Sequence, residues 1–298
     1  MKIVVAGASG LIGHALVAAL RSDGCTVVRL VRRPARERDE FAWDPATGQV
    51  PAEAMSAADA VVNLAGAAIS SGRWSAARLR DIRGSRLDAT VALASAIGGA
   101  PRRPGVFVNA SAIGYYGDRG NEILSEESAP GKGFLAELCR DWESAARAAD
   151  GSGTRVVCLR FGVVLAREGG VLSRMLPVFR AGAGGRLGAG TQWMSWIGLD
   201  DAVGVIRLAL RDARMAGPVN AVAPDAATNA LFTATLGRVL RRPTMLSVPE
   251  AALRLAFGQM ARELLLASAR VEPRRLLEAG YVFRSPRLED ALRQAVAR

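Results

Sequence analysis

The sequence contains little histidine, cysteine, lysine or aromatic content, and it has no long apolar run. Of its 298 residues one is histidine and three are cysteines, which have neither metal-ligand nor Cys-x-x-Cys spacing. We therefore expect no metal site and no disulfide framework. Hydrophobic residues make up 50% of the chain, but no apolar run approaches the ~18 residues that span a bilayer. Because Met1 leads directly into the first predicted strand, we expect no signal peptide and a cytoplasmic protein with no membrane partner.

The formal net charge of +11 raises the question of nucleic-acid binding. Only two of the 39 basic residues are lysines, the arginines are spread along the chain, and aromatic residues contribute 5%. Basic runs interleaved with aromatics, which are typical of nucleic-acid-binding proteins, are missing. The composition therefore argues against a nucleic-acid partner and favours anionic ligands.

Three glycines follow the first apolar run at three-residue spacing. Lys2 to Ala6 is predicted to be a buried strand, and Leu11 to Leu20 has helical periodicity. Strand, glycine turn and helix in this order are typical of a dinucleotide site, in which glycines allow close backbone approach and free amides at the helix start bind the pyrophosphate. The predicted cofactor residues of this turn are Gly7, Ser9, Gly10, Leu11, Ile12 and Gly13.

The end of the second predicted strand indicates which dinucleotide is bound. Cys25 to Val31 is β-branched and ends at Arg32 and Arg33, where NAD-binding folds usually place an acid that accepts from the ribose 2′-hydroxyl. A guanidinium can instead hold a 2′-phosphate by two charge-assisted hydrogen bonds. We therefore predict NADP(H) in preference to NAD(H), with two solvated surface arginines as the alternative.

Strands and helices alternate along the first two thirds of the chain. Further strands are predicted at 58–64, 106–111 and 154–161, with helices from about 73 to 97 and from 134 to 149. The pattern predicts an α/β fold with a doubly wound parallel sheet of Rossmann type. The segment 34–57 is predicted to be irregular, with a short hairpin around Phe41 to Val50. After Leu246, prolines separate short helices and indicate a smaller C-terminal lobe on the substrate side.

The polar and small residues at the strand ends are the remaining site candidates, because ligands of such sheets lie beyond the carboxyl ends of the strands. Trp193 and Trp196 either line a substrate pocket or anchor a core. Further cofactor contacts are predicted at Leu64, Ala65, Gly66, Asp81, Arg86, Ala110, Phe161, Gly162 and Val163, and substrate contacts at Trp193, Ser195 and Trp196.

Five stretches of the sequence form a combination typical of one family. They are the glycine turn, Asn63-Leu-Ala-Gly66, Ser85-Arg86, Ser111 with Tyr115-Tyr116-Gly117, and Gln192-Trp-Met-Ser-Trp-Ile197. Together they resemble the extended or atypical short-chain dehydrogenases/reductases and, more narrowly, the epimerase/dehydratase-like proteins that carry a C-terminal domain of unknown function. The resemblance implies an NADP-binding Rossmann domain over 1–240, with substrate-region segments at about 165–200, and a family-specific lobe over 241–298.

One departure from the resemblance concerns the chemistry. Extended reductases carry a Tyr-x-x-x-Lys pair on the helix after the long loop, where the tyrosine transfers a proton and the lysine lowers its pKa. We align Leu135 and Cys139 with that pair, and the helix 134–149 contains neither tyrosine nor lysine. Ser111 with Tyr115 or Tyr116 is the substitute that we predict to be catalytic, while the alternative is that both tyrosines only wall the nicotinamide pocket.

Two functions remain open at this stage. One is an NADP(H)-dependent oxidoreductase or epimerase-like enzyme that acts on a small polar substrate, and the other is an NADP(H)-binding redox sensor or scaffold without turnover. A homodimer is compatible with either.

Overall fold

Alternate residues of the first strand face two different apolar layers. The computed structural model describes residues 1–297. In it Ile3 and Val5 belong to one buried cluster, whereas Val4 and Ala6 belong to another on the opposite face of the sheet. Because both faces are covered, the strand is continuously apolar rather than alternating. The strands are β1 Lys2–Ala6, β2 Thr26–Val31, β3 Glu40–Ala42, β4 Ala60–Asn63, β5 Val106–Ala112, β6 Ile123–Leu124, β7 Arg155–Phe161, β8 Val163–Leu165, β9 Gly185–Leu187, β10 Trp193–Met194, β11 Trp196–Gly198, β12 Gly217–Ala221, β13 Ala227–Thr228, β14 Leu246–Val248 and β15 Arg270–Val271.

Seven strands form a parallel central sheet in the order β12-β7-β5-β4-β1-β2-β3. The chain moves outward from β1 to β3 and then returns to build the other half from β4. The direction therefore switches between β1 and β4, which is where open α/β sheets bind their ligands. The predicted doubly wound fold of Rossmann type is confirmed.

Helices cover both faces of this sheet. Leu16 and Leu20 of the first helix share a buried cluster with Val205 and Ile206 of the sixth, and Leu93 and Ala146 lie in the cluster on the other face. The helices are α1 Leu11–Ser22, α2 Ala52–Met55, α3 Ala76–Gly99, α4 Phe134–Arg147, α5 Gly170–Arg180, α6 Leu199–Arg211, α7 Asn229–Leu240, α8 Glu250–Phe257, α9 Arg274–Glu278 and α10 Leu288–Ala297, with a π-helical turn at Ala261–Leu265.

The predicted hairpin around Phe41 to Val50 is wrong. Glu40–Ala42 instead extends the central sheet as β3, in parallel register with β2. The carboxylate of Glu40 lies 2.7 Å from Arg33 and 3.2 Å from Arg29, both of which lie on or directly after β2. These ion pairs fix β3 beside β2, and Pro45–Thr47 then forms a 3₁₀ turn.

The remaining strands form two-stranded sheets: β6 with β15, β8 with β11, β9 with β14, and β10 with β13. Two of these pairs, β6–β15 and β9–β14, join the chain from Leu246 onward to earlier segments. A further apolar cluster unites α5, α7 and α10 around Trp196. No helix among residues 1–297 is both long and apolar enough to cross a membrane.

Candidate functional site

The glycine turn is packed so closely against the next strand end that side chains are excluded. Gly7 has a φ of +80°, and a Cβ added there would lie 2.5 Å from the carbonyl carbon of Leu64. A Cβ on Gly13 would lie 2.1 Å from the carbonyl oxygen of Gly7. Helix α1 begins at Leu11 after Gly10, and no side chain caps it. The first amides of α1 are therefore available to an anion, as a dinucleotide site requires.

The two arginines after β2 have different surroundings. Arg33 donates to both carboxylate oxygens of Glu40, at 2.7 and 2.8 Å. These hydrogen bonds, with one from the backbone amide of Arg36, lower the pKa of Glu40 to about 2. Arg32 is exposed and makes no hydrogen bond or ion pair with any residue in 1–297. Arg32 is thus the guanidinium of this pair that is free to bind a phosphate.

At the end of β4 the backbone of Leu64, Ala65 and Gly66 runs beside the glycine turn. Asn63 Oδ1 accepts a hydrogen bond from the amide of Ala65 at 3.1 Å and so fixes this loop. Arg86 lies directly beneath Gly66, because a Cβ on that glycine would meet its Cζ at 3.0 Å. Asp81 is exposed and pairs with Arg78.

Ser111 belongs to a buried ionic network. Its Oγ donates to Glu143 Oε1 at 2.7 Å, and Arg160 donates to both oxygens of the same carboxylate at 2.8 Å. Burial alone would lower the pKa of Arg160, but the hydrogen bonds and charge of Glu143 raise it above its ordinary value. Arg160 Nη1 also donates to Tyr116 Oη at 2.9 Å. Arg160 therefore stays charged and holds the carboxylate that orients Ser111.

The two predicted catalytic tyrosines have different environments. Tyr116 is fully buried, and its Oη lies 2.6 Å from Asn220 Oδ1 and 2.9 Å from the Ser125 carbonyl oxygen. Burial raises its pKa to about 12. The Tyr116 hydroxyl is therefore occupied within the fold.

Tyr115 is only half-buried, and its ring centroid lies 3.5 Å from Arg160 Cζ. Its hydroxyl has no hydrogen-bond partner among residues 1–297. Of the two tyrosines, Tyr115 is therefore the one whose hydroxyl is free to contact a ligand.

Helix α4 presents the aligned positions Leu135 and Cys139 to the turn that follows β5. A Cβ on Gly114 would lie 3.2 Å from Leu135 Cβ and 3.8 Å from Cys139 Sγ. Burial raises the pKa of the Cys139 thiol to about 12. Neither side chain therefore supplies a proton or a positive charge at neutral pH.

The first turn of α4 is hydrogen-bonded to a glutamate in the C-terminal part of the chain. The amide of Leu135 donates to Glu263 Oε2 at 2.9 Å, and Gln259 Nε2 donates to Glu263 Oε1 at 2.8 Å. An acidic group at a helix N-terminus accepts a hydrogen bond from an otherwise free amide and interacts favourably with the positive end of the helix dipole.

The predicted nicotinamide-side residues lie around the ends of β5 and β7. Ala110 and Phe161 are 9% and 7% exposed and pack in the core cluster of α1. A Cβ on Gly162 would lie 2.6 Å from the Ser195 carbonyl oxygen, which also accepts from the amide of Val163 at 2.9 Å. Gly162 is therefore required by backbone contact with the segment before β11.

The predicted substrate residues are not brought together. Ser195 is fully buried and bridges the carbonyl of Ala269 and the amide of Val271, each at 2.9 Å. Trp196 is also fully buried, and its Nε1 donates to the Asp225 carbonyl at 2.8 Å. Neither side chain is exposed to a substrate. Trp196 therefore anchors the core, which was the alternative to lining a substrate pocket.

Trp193 makes no contact with Ser111, Glu143 or Arg160 among those that the described residues form. Arg270 stacks on its ring, with Cζ 4.5 Å from the ring centroid. The ring lines a separate pocket of about 270 Å³ that shares no residue with the network.

A larger cavity of about 510 Å³ opens beside the first turn of α1. The residues before α5, the start of α6 and one face of α10 complete its wall. This cavity adjoins the uncapped start of α1 and is large enough to hold a ligand. It is lined by Ser9, Gly10, Leu11, His14, Ala15, Leu165, Ala166, Arg167, Glu168, Gly169, Gly198, Leu199, Asp200, Ala291, Gln294 and Ala295.

Sequence reasoning missed Glu143, Arg160, Asn220 and Glu263 as parts of the site. A signal was present for the first two, since Arg160 interrupts an apolar strand and Glu143 lies on the buried face of α4. Charged residues at such positions are rarely buried unless they are paired. No local signal marks Asn220 or Glu263.

Comparison with known proteins agrees with this geometry. Residues 3–222 match the sequence profile of the NAD dependent epimerase/dehydratase family, and residues 248–295 match a domain of unknown function, DUF1731. The chain is 45% identical over 296 residues to the epimerase family protein MT2273 of Mycobacterium tuberculosis, covering 99% of this chain and 98% of that protein. It is 38% identical over 300 residues to human epimerase family protein SDR39U1, covering all of both.

Solved structures show the same relationship. The crystal structure of human SDR39U1 with NADPH superposes with a TM-score of 0.93 at 37% identity and covers all of both chains. A nucleoside-diphosphate sugar epimerase from Corynebacterium glutamicum gives a TM-score of 0.80 at 35% identity, covering 99% of this chain and 58% of that one. With its glycine turn, its switch point between β1 and β4 and these matches along its length, the chain belongs to the NAD dependent epimerase/dehydratase family.

Proposed function

We propose that this chain binds NADP(H) and catalyses hydride transfer between the nicotinamide ring and a small polar substrate. The observation that carries the proposal is the glycine turn, where Cβ atoms on Gly7 and Gly13 would collide with backbone and where the start of α1 is uncapped. Such a cradle suits a pyrophosphate. The related human protein with NADPH bound gives independent support.

In this proposal the residues at the switch point between β1 and β4 bind different parts of the cofactor. The amides after Gly10 hold the pyrophosphate, Arg32 holds the 2′-phosphate, and the backbone of Leu64 to Gly66 supports the adenosine half. When bound, the cofactor supplies the hydride chemistry, and the protein supplies position and electrostatics. Ser111, whose hydroxyl proton is donated to Glu143, accepts a hydrogen bond from a hydroxyl group of the substrate.

Tyr115 is the candidate proton donor of the same reaction. Its hydroxyl is unpaired within residues 1–297, and its ring stacks on the Arg160 guanidinium, with Cζ 3.5 Å from the ring centroid. The arrangement thus brings together a cation, a phenol and Ser111 without using Leu135 or Cys139.

A second function is favoured by Leu135 and Cys139 of α4, which supply neither a proton nor a positive charge. In this case the chain binds NADP(H) and reports the redox state of the cofactor pool without turnover.

Anaerobic mixing of the protein and NADPH with ketones, quinones and nucleotide sugars separates the two functions. Substrate-dependent loss of the reduced-nicotinamide absorbance supports the enzyme, and the loss should disappear in the Ser111→Ala variant. Calorimetric NADPH binding without turnover on any panel member supports the sensor. If neither NADPH nor NADP⁺ binds, both proposals fail.

A further inference from the structure

Charged side chains of both signs line the pocket beside Trp193 without pairing. The pocket has a volume of about 270 Å³ and contains the cation Arg270 and the acids Asp225 and Glu272. None of these three side chains forms an ion pair or a hydrogen bond with any residue in 1–297, whereas arginines elsewhere on the surface pair with carboxylates. The opposite charges of this pocket are therefore available to a ligand.

Arg270 is held on an aromatic ring instead of on a carboxylate. Its Cζ lies 4.5 Å from the centroid of Trp193, whose Nε1 donates to Asn121 Oδ1 at 3.0 Å. The fully buried Ser195 hydrogen-bonds through its Oγ to the backbone on both sides of Arg270. The guanidinium is half-buried, and its N–H groups have no acceptor within residues 1–297. It is thus a positioned cation with free donors.

Buried side chains also fix the backbone that carries the two acids. Trp196 Nε1 donates to the carbonyl of Asp225 at 2.8 Å, and Asn220 Nδ2 donates to the carbonyl of Glu272 at 2.9 Å. Trp196 and Asn220 are both fully buried. The fold therefore holds the segments of the two carboxylates in place on the wall of the pocket.

The rest of the wall is largely apolar, and the pocket is small. Leu231 lines it with a side chain that is 49% exposed, and Pro224 and Val271 lie beside the charged residues. A volume of about 270 Å³ is at the small end of the range for ligand sites, so the pocket suits a molecule much smaller than a dinucleotide.

Opposite charges that the fold keeps unpaired favour a ligand that carries both signs. A carboxylate forms charge-assisted hydrogen bonds with a guanidinium, and an ammonium group forms them with carboxylates. A purely anionic ligand would be repelled by the two acids, and a purely cationic one by Arg270. A small zwitterion with a short apolar part matches every group of the lining.

We propose that this pocket binds a free aliphatic α-amino acid. Its carboxylate binds Arg270, its ammonium group binds Asp225 and Glu272, and its side chain packs on Leu231. The inference goes beyond the proposed function, because the pocket shares no residue with the Ser111 network or with the cavity beside α1. It adds a second ligand to the cofactor.

The test uses the full chain without cofactor and measures binding by calorimetry. L-alanine, L-valine and L-leucine are the probes. The amide of each amino acid lacks the carboxylate, and the N-acetyl derivative lacks the ammonium group. We expect at least one amino acid to bind about tenfold or more tightly than both of its derivatives, because each derivative loses one set of charge-assisted hydrogen bonds.

The Arg270→Met variant should lose the preference for the amino acid over its amide. The double variant Asp225→Asn with Glu272→Gln should lose the preference over the N-acetyl derivative. Arg274→Met is the matched control, because this exposed arginine of the same lobe lies outside the pocket, and it should bind like the wild type. If Arg270→Met does not fold, the wild-type comparison of amino acid, amide and N-acetyl derivative still decides the question.

Two results would overturn the inference. One is that the wild type binds none of the three amino acids, or binds them no better than their derivatives. The other is that binding is unchanged both in Arg270→Met and in the double variant, which would place the ligand elsewhere. NADPH titration of the same preparation tests the proposed function separately, so either idea can fail without the other.

Discussion

Arg32 and Arg33 are neighbours in sequence, but only one of them has a carboxylate partner. Glu40 occupies Arg33 through two hydrogen bonds, while Arg32 extends into solvent. The sequence predicts that both residues bind the 2′-phosphate, whereas in the structure only Arg32 is free of a carboxylate partner.

We expect Arg32→Ala to weaken NADPH binding about tenfold or more and to leave NADH binding nearly unchanged, because the proposed function assigns to Arg32 a charge-assisted hydrogen bond to the 2′-phosphate, which NADH lacks. Arg33→Ala should have a smaller effect on the ratio of the two affinities. Calorimetric titration of both cofactors measures this ratio, with the exposed Arg38→Ala as control. Equal losses for NADPH and NADH would show that Arg32 is only a surface charge.

The two tyrosines differ in the same way. Tyr116→Phe removes a buried partner from Arg160 and Asn220, and it should lower the free energy of unfolding by about 1–3 kcal/mol. Tyr115→Phe removes an unpaired hydroxyl and should change stability little. Urea unfolding measures both variants.

Once a substrate is found, Tyr115→Phe should reduce kcat by about 10²–10⁴, the usual contribution of a general acid. Full activity in this variant would leave Tyr115 as a wall of the pocket.

At the scale of the elements, the turn between β1 and α1 packs closely against the end of β4, and this contact depends on a glycine whose surroundings differ from those of other glycines with positive φ. Gly7 and Gly24 have similar positive φ values, +80° and +73°. A Cβ on Gly7 would collide with Leu64, whereas nothing lies within 4 Å of a Cβ on Gly24.

Gly7→Ala should therefore abolish NADPH binding and destabilise the fold by more than the roughly 1 kcal/mol expected from backbone strain alone. Gly24→Ala, which shares the strain without the collision, should bind NADPH like the wild type. Thermal unfolding and calorimetry on the two variants separate the two causes. Equal effects would show that conformational strain, not close approach, is what the turn avoids.

A second element-scale feature is the ion pair that joins β7 to α4. Replacing Arg160 by Met leaves Glu143 buried without its cation and should cost about 3–5 kcal/mol of unfolding free energy. The double variant Arg160→Met with Glu143→Leu should recover most of that loss, because two apolar side chains need no counter-ion. Denaturant unfolding of Arg160→Met, Glu143→Leu and the double variant completes a double-mutant cycle. Additive losses would contradict the coupling.

The sequence predicted those parts of the structure whose causes are local. Apolar runs and glycine turns identified β1, β4, β5 and β7 and placed Ser111 at a strand end. The placement of Glu40 could not be predicted, because it depends on arginines 7 and 11 residues away that could equally have faced solvent. The pairing of Glu143 with Arg160 joins two elements 17 residues apart, and no periodicity encodes that contact.

At the scale of the whole molecule, paired carboxylates make stability depend on pH. Hydrogen bonds from Arg33 lower the pKa of Glu40 from 4.5 to about 2, and those from Arg214 lower the pKa of Asp212 from 3.8 to about 2. Since the folded values lie below the ordinary ones, both groups stabilise the fold above about pH 4.5, and this contribution is lost as the pH falls towards 2.

The wild type should therefore lose unfolding free energy between about pH 5 and pH 2, and the double variant Glu40→Gln with Asp212→Asn should lose less over the same interval. Urea unfolding at several pH values measures both curves. Identical slopes would show that other carboxylates dominate the acid sensitivity.

The contact between Glu263 and the amide of Leu135 spans 128 residues. During synthesis the first turn of α4 therefore emerges long before the carboxylate that completes it. Contacts of such long range form late, because the intervening chain must first be ordered. This turn, which packs against Gly114 after β5, is thus among the last parts of the molecule to mature, and a nascent chain stalled before the π-helical turn would hold the glycine cradle without a completed N-terminus of α4.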